Sequence, residues 1–203
     1  MATRIGILLF DDVDLLDVGG PYEVFLTAGR LSERMGRANP FEVLTVGVTI
    51  EMVRSYGGLG LTPTHASHEA GSLDVVIVPG AIAIDEVCSR TEVRRAVESL
   101  MTGATVAASV CTGAFVLGEM GLLDGIAWTT HWEDVDRLSE RLGSPLGVPA
   151  PWVDAGNVVT GGGLSNGIAM ALHLVERLAG RGLALQTAQQ LDFRWDPDAG
   201  ITA

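Results

Sequence analysis

The sequence predicts an α/β protein, with a mostly parallel sheet covered by helices on both faces. Short apolar runs at 5–10, 73–78 and 106–110 have the pattern of strands buried on both sides. Such strands alternate with helical patterns along most of the chain, which implies parallel strands joined by helical crossovers. The composition agrees: hydrophobic residues make up 47% and there are 26 glycines, which suits a packed sheet with tight turns and argues against disorder.

Taken in order, Ile5–Phe10 reads as the first buried strand, followed by an acidic loop from Asp11 to Asp17. Gly19-Gly20-Pro21 then introduces a helix from Tyr22 to about Leu31, because Pro suits a first helical turn. Phe41–Val48 alternates like a second strand, and Met52–Leu61 reads as a hairpin. Leu73–Val78 is a central strand ended by Pro79-Gly80. Thr91 caps a helix running to Met101. Val106–Val110 is the next strand, with a helical pattern from Phe115 to about Leu122. Ala127–Thr130 reads as a short strand, His131–Leu142 as a helix, and 152–160 as two strands around Ala155-Gly156-Asn157. Gly161-Gly162-Gly163 is a tight loop, whose expected role is close backbone packing near the crevice. Helices follow from Ser165 or Asn166 through Leu178 and from Leu183 to Asp192, and Arg194–Ala203 is tail.

The 203 residues suit one domain, 1–203, with no linker, repeat or low-complexity segment. The net charge of −12 repels phosphate backbones, so no nucleic-acid partner is expected. No stretch has transmembrane length or the form of a signal peptide, which leaves a cytoplasmic protein without membrane contact as the expectation. Cys88 and Cys111 fit neither a CxxC motif nor a secreted disulfide framework.

The stretch Ser109-Val-Cys111-Thr-Gly113 joins a buried strand to a helix. A nucleophile elbow needs such a sharp reversal, with small residues two positions either side of an exposed, strained central side chain. A cysteine there lies at a helix N-terminus, where the dipole favours thiolate. The alternative is a buried structural cysteine. Sites in such sheets lie beyond the carboxyl ends of the strands, so the acidic loop, Pro79-Gly80-Ala81 and the elbow converge on one crevice. Asp17 is the acid placed to reach Cys111, or else the cap of its helix. Glu23, one turn on, is the rival acid. The N–H groups of Gly80 and Ala81, with those of the elbow, are candidates for a nest that receives charge. Thr112 adds a hydroxyl beside the thiol. Among the histidines, His131 either lines the crevice or starts its helix, His173 packs within an apolar helix, and His65 and His68 fall in a polar loop. Nothing completes a metal set around His65-x-x-His68, so no metal is expected.

Ile5-Gly-Ile-Leu-Leu-Phe10, Asp17-x-x-Gly20-Pro21, Val78-Pro79-Gly80, Ser109-Val-Cys111-Thr112-Gly113, Thr129-Thr130-His131-Trp132 and Thr160-Gly-Gly-Gly163 together resemble the ThiJ/PfpI family, within the class I glutamine-amidotransferase-like superfamily. Within it the chain resembles isonitrile (isocyanide) hydratases. The resemblance implies a flavodoxin-like three-layer sandwich, a homodimer, Cys111 as nucleophile, Asp17 as acid and Thr112 as supporting hydroxyl. It implies hydration of a small electrophilic isocyanide to an N-substituted formamide through a thioimidate, with no cofactor. Many relatives have Gly-Gly where this chain has Gly80-Ala81. Peptidase-like members have His after the cysteine, so Thr112 speaks against proteolysis, and stress-response members use a glutamate on the first helix, which keeps Glu23 in view. The competing expectations are a glyoxalase-like reaction on small aldehydes and a non-catalytic cysteine redox sensor.

Overall fold

A computed structural model describes residues 1–202. The strands and helices, in chain order, are β1 (Thr3–Leu9), α1 (Leu15–Arg34), β2 (Phe41–Gly47), β3 (Val53–Arg54), β4 (Gly60–Leu61), β5 (His65–Ala66), β6 (Val75–Val78), α2 (Ile84–Ser89), α3 (Thr91–Met101), β7 (Val106–Val110), α4 (Gly113–Glu119), α5 (Val135–Leu142), β8 (Trp152–Asp154), β9 (Val158–Gly161), α6 (Asn166–Ala179), α7 (Arg181–Gln190) and β10 (Ile201–Thr202). Eight strands form one sheet in the order β10-β8-β9-β7-β6-β1-β2-β5, and β3 and β4 form a separate antiparallel hairpin. Within the sheet β8–β9 is the antiparallel pair and the other pairs are parallel. Every residue of β6 and β7 is buried, because helices cover both faces: α1, α6 and α7 pack together on one side, α2 to α5 on the other. The three-layer, mostly parallel architecture expected from the sequence is present.

From β1 the chain winds outward to β2 and β5, then returns to β6 on the opposite side of β1. Strand order therefore reverses between β1 and β6. Loops leaving adjacent strands on either side of such a reversal diverge and open a crevice at the strands' carboxyl ends. The loops after β1, β6 and β7 meet there.

Several local expectations need correction. The first helix begins at Leu15, not Tyr22, with Asp14 as its N-cap accepting the Leu16 N–H at 3.3 Å. Pro21 thus lies inside α1, where its missing N–H costs the Asp17 carbonyl its helical partner. Asp17 is accordingly neither loop nor cap. Arg90, not Thr91, caps α3, without a side-chain bond. Residues 127–130 form a single bridge, Trp128 to Gly147, where a strand was expected. A 3-10 turn, Trp132–Asp134, precedes α5. The helix α2 and the strand β5 were not anticipated. Part of the expected tail is β10, which pairs with β8; Ala203 lies outside the described residues.

Candidate active site

Cys111 stands between β7 and α4 with φ +54°, the left-handed region that side-chain-bearing residues rarely occupy. Three contacts hold it there. Its N–H donates to the carbonyls of Gly161 and Gly162 at 3.1 and 3.0 Å. Its own carbonyl accepts the Thr130 hydroxyl at 2.8 Å. Gly113 is required because a Cβ there would collide with the Val78 carbonyl and approach that of Pro79 at 2.9 Å. The glycine loop after β9 therefore props the elbow through its backbone, and Thr130 completes the support.

Asp17, in the first turn of α1, is fully buried beside Cys111. Its Oδ2 accepts the Gly80 N–H at 3.0 Å, while Oδ1 has no hydrogen-bond partner among the described residues. Burial, helped by the nearby charge of Asp14, pushes the carboxyl up to about 7, against the smaller opposing pull of the Gly80 N–H and Cys111. The thiol is not activated in the manner the helix dipole suggests. Burial first, then the Asp17 charge, push Cys111 up to about 12, although the N–H groups of Thr112 and Leu164 face its sulfur and pull the other way. The two groups are in contact, and both are pushed toward their protonated forms.

The expected nest at Gly80 and Ala81 is already occupied. Gly80 N–H is taken by Asp17, and Ala81 N–H donates to the Thr112 hydroxyl at 2.9 Å. That hydroxyl in turn donates to the Ala81 carbonyl at 2.8 Å. Thr112 thus clamps the loop after β6 to the elbow rather than offering a proton to substrate. A Cβ at Gly80 would lie 2.6 Å from the Thr112 Oγ1 and 2.8 Å from the Asp17 Oδ2, so glycine is needed for this three-way approach. The N–H groups that do face sulfur belong to Thr112 and Leu164.

Glu23 is not brought into the site. Six residues beyond Asp17 it lies about 240° around the helix, exposed, accepting the Thr27 hydroxyl at 3.0 Å. His131 does both things the sequence allowed: it caps the 3-10 turn and lines the crevice. His173 instead packs on Trp152 and bonds Asp154 at 2.7 Å. Cys88 is buried elsewhere, its thiol pushed up to about 11 mainly by burial.

A cavity of about 230 Å³ opens over Cys111, with Ala81, Ile82, Thr112, His131, Leu164 and Asp14 among its walls. Sequence reasoning missed Leu164 and did not single out Asp14 within the acidic loop. Leu164 has φ +47°, a conformation no residue type announces, and Asp14 gave no signal beyond being one of several loop acids.

A strained, buried cysteine elbow beside a carboxyl, at the strand-order reversal of a flavodoxin-like sheet, defines a class of doubly wound proteins built around one thiol. Residues 3–177 match the model of the DJ-1/PfpI family, and the chain belongs to that family. The isonitrile hydratase of Pseudomonas putida is 36% identical over 95% of this chain and 79% of its own length. The HTH-type transcriptional regulator GbdR of Pseudomonas aeruginosa is 29% identical over 93% of this chain and 50% of its own length. The crystal structure of a ThiJ/PfpI family protein from Pseudomonas syringae superposes with a TM-score of 0.83 at 24% identity, covering 98% of this chain and 78% of that one, which shows the shared fold.

Proposed function

We propose that this chain hydrates isocyanides to N-substituted formamides. One observation carries the reading: a buried carboxyl lies in contact with a buried thiol, and burial pushes both toward the protonated form. Adding a thiol across the terminal carbon of an isocyanide needs a sulfur nucleophile and a group that relays its proton, and that pair offers both. As sulfur attacks the carbon, Asp17 takes the thiol proton and delivers it to the same carbon, giving the thioimidate R–N=CH–S–Cys111. Water then adds to the C=N carbon while nitrogen gains a proton. Collapse of the tetrahedral adduct releases R–NH–CHO and returns the proton to sulfur. No cofactor enters this scheme. Thr112 acts as a positioning residue through Ala81, and Gly80 holds Asp17 in place. The 36% identity to an isonitrile hydratase supports the same reading.

We also read residues 1–203 as one domain, since the sheet draws strands from both ends of the chain. No helix among the described residues is long and apolar enough to cross a membrane. A cytoplasmic protein acting on a small molecule, without nucleic acid, is the reading consistent with the acidic chain.

The test follows formamide appearance from a neutral isocyanide. Wild type turns over; Cys111→Ala abolishes turnover, and Asp17→Ala lowers kcat/KM by about 10²-fold or more. Unchanged turnover in Asp17→Ala removes its assigned role. Lactate from methylglyoxal without formamide from isocyanide selects the glyoxalase-like reaction instead. Burial and the raised thiol pKa weigh against the redox sensor, because the thiolate is the species that oxidises; rapid sulfinic acid formation with no turnover would favour it.

A further inference from the structure

The Cys111 cavity adjoins a larger one of about 500 Å³, the two sharing His131 and Leu164 as a common wall. Their charges are one-sided. Asp14, Glu133 and Asp134 line the smaller cavity, with Asp17 buried beneath it. Its one guanidinium, Arg137, is engaged: Nη1 bonds Asp134 at 3.0 Å and Nη2 bonds Asp85. His131 faces Glu133 and Asp134, Nδ1 lying 3.7 and 3.8 Å from their oxygens. Among the described residues the larger cavity is lined by no Asp, Glu, Lys or Arg, and His131 is its one ionisable side chain; Trp132, Pro149, Pro151 and Leu164 give it an apolar character. A carboxylate entering either chamber finds no cation without a prior partner, and it approaches a chain of net charge −12. The isocyanide group carries no net charge, so the remainder of the molecule decides how this field acts on it.

We propose that the paired cavities select electrophiles by charge, admitting neutral or cationic N-substituents and excluding those that carry a carboxylate or sulfonate. Glu133 is the principal specificity-determining residue. It stands at the mouth with its side chain 63% exposed, so it meets an incoming charge before any pairing with Arg137 is disturbed. For substrate identity this deepens the hydratase reading and rests on it. The charge preference itself rests on the cavities alone.

Two assays separate the two claims. In the first, Cys88→Ser protein is treated with trimethylammonium-ethyl and sulfonatoethyl methanethiosulfonates, and disulfide formation at Cys111 is followed by mass spectrometry. Rates are normalised to those of 2-mercaptoethanol. The cationic reagent is expected to label about 10-fold faster or more at low salt, the ratio falling as salt screens the field. Glu133→Gln is expected to lower the ratio about 2- to 3-fold, on the scale of losing one charge near the path. Equal labelling, or a ratio that neither salt nor Glu133→Gln moves, overturns the proposal. In the second, kcat/KM is compared for a neutral alkyl isocyanide, a tertiary-amine alkyl isocyanide and isocyanoacetate. Isocyanoacetate turned over as well as the neutral compound overturns charge selection while leaving the hydratase reading intact. Absence of turnover with all three removes the hydratase reading, and the labelling ratio still decides the charge preference.

Discussion

At the scale of single residues, the site turns on one carboxyl kept out of water. Asp17 is pushed up to about 7, above its unfolded value near 4. Below pH 4 the group is protonated in both states and contributes no pH dependence. Between pH 4 and 7 the unfolded chain ionises while the fold retains the proton, so this residue makes stability fall as pH rises, by up to about 1.4 kcal/mol per unit. Above pH 7 both states are ionised and the penalty is constant. Asp17→Asn removes the titration and keeps an oxygen for the Gly80 N–H. Its stability relative to wild type should therefore grow from pH 4 to 7 and then level off in denaturant melts. A difference flat across that range would show that Asp17 is not held neutral. The sequence placed Asp17 within reach of Cys111, and in the fold the two side chains are in contact. It could not reveal their protonation, because the strength of desolvation depends on how the loop after β6, the elbow and Leu164 close around them.

At the scale of elements, the elbow works because β6, β7 and β9 run side by side. Register brings Ser109 opposite Val78 on one side and Thr160 on the other, so the loops that follow those strands emerge together. At the elbow Gly113 is the tightest point, since a Cβ there would run into the Val78 carbonyl oxygen. A main-chain carbonyl at a sheet end cannot yield as a side chain can. Gly113→Ala is expected to destabilise by about 3 kcal/mol or more and to abolish cysteine reactivity at Cys111 in whatever protein remains folded. Near-wild-type melting would mean that the elbow tolerates a methyl group. The small neighbours of Cys111 were legible as a motif, and the strands that require them were legible as apolar runs. The start of α1 was not. Gly19-Gly20-Pro21 carries the usual signature of a helix beginning, yet tertiary packing extends the helix back to Leu15, with Gly20 against Ile168 of α6 and Pro21 beside Gly167.

At the scale of the whole molecule, the order of strands puts the site at the reversal between β1 and β6, and the acidic chain sets the sign of the field around it. The homodimer expectation belongs here as a proposal. Exposed apolar side chains at Tyr56 and Leu59 of the hairpin and at Leu15 and Leu16 of α1 support it, since Tyr56 N–H is bonded to Val13 next to α1. Sedimentation equilibrium should give twice the 21.3 kDa chain mass; a single-chain mass at micromolar concentration would remove the dimer. By itself the sequence determined the α/β class, the elbow, the pairing of Asp17 with Cys111 and the family motifs, because these are written in local patterns of size and polarity. Tertiary structure alone decided that Gly80 and Ala81 have no N–H to spare, that Thr112 is a clamp, and that Leu164 and Asp14 border the cavity over the thiol. Each of those outcomes depends on hydrogen bonds and burial between segments tens of residues apart, and no local pattern records which donor reaches which acceptor once the sheet has formed.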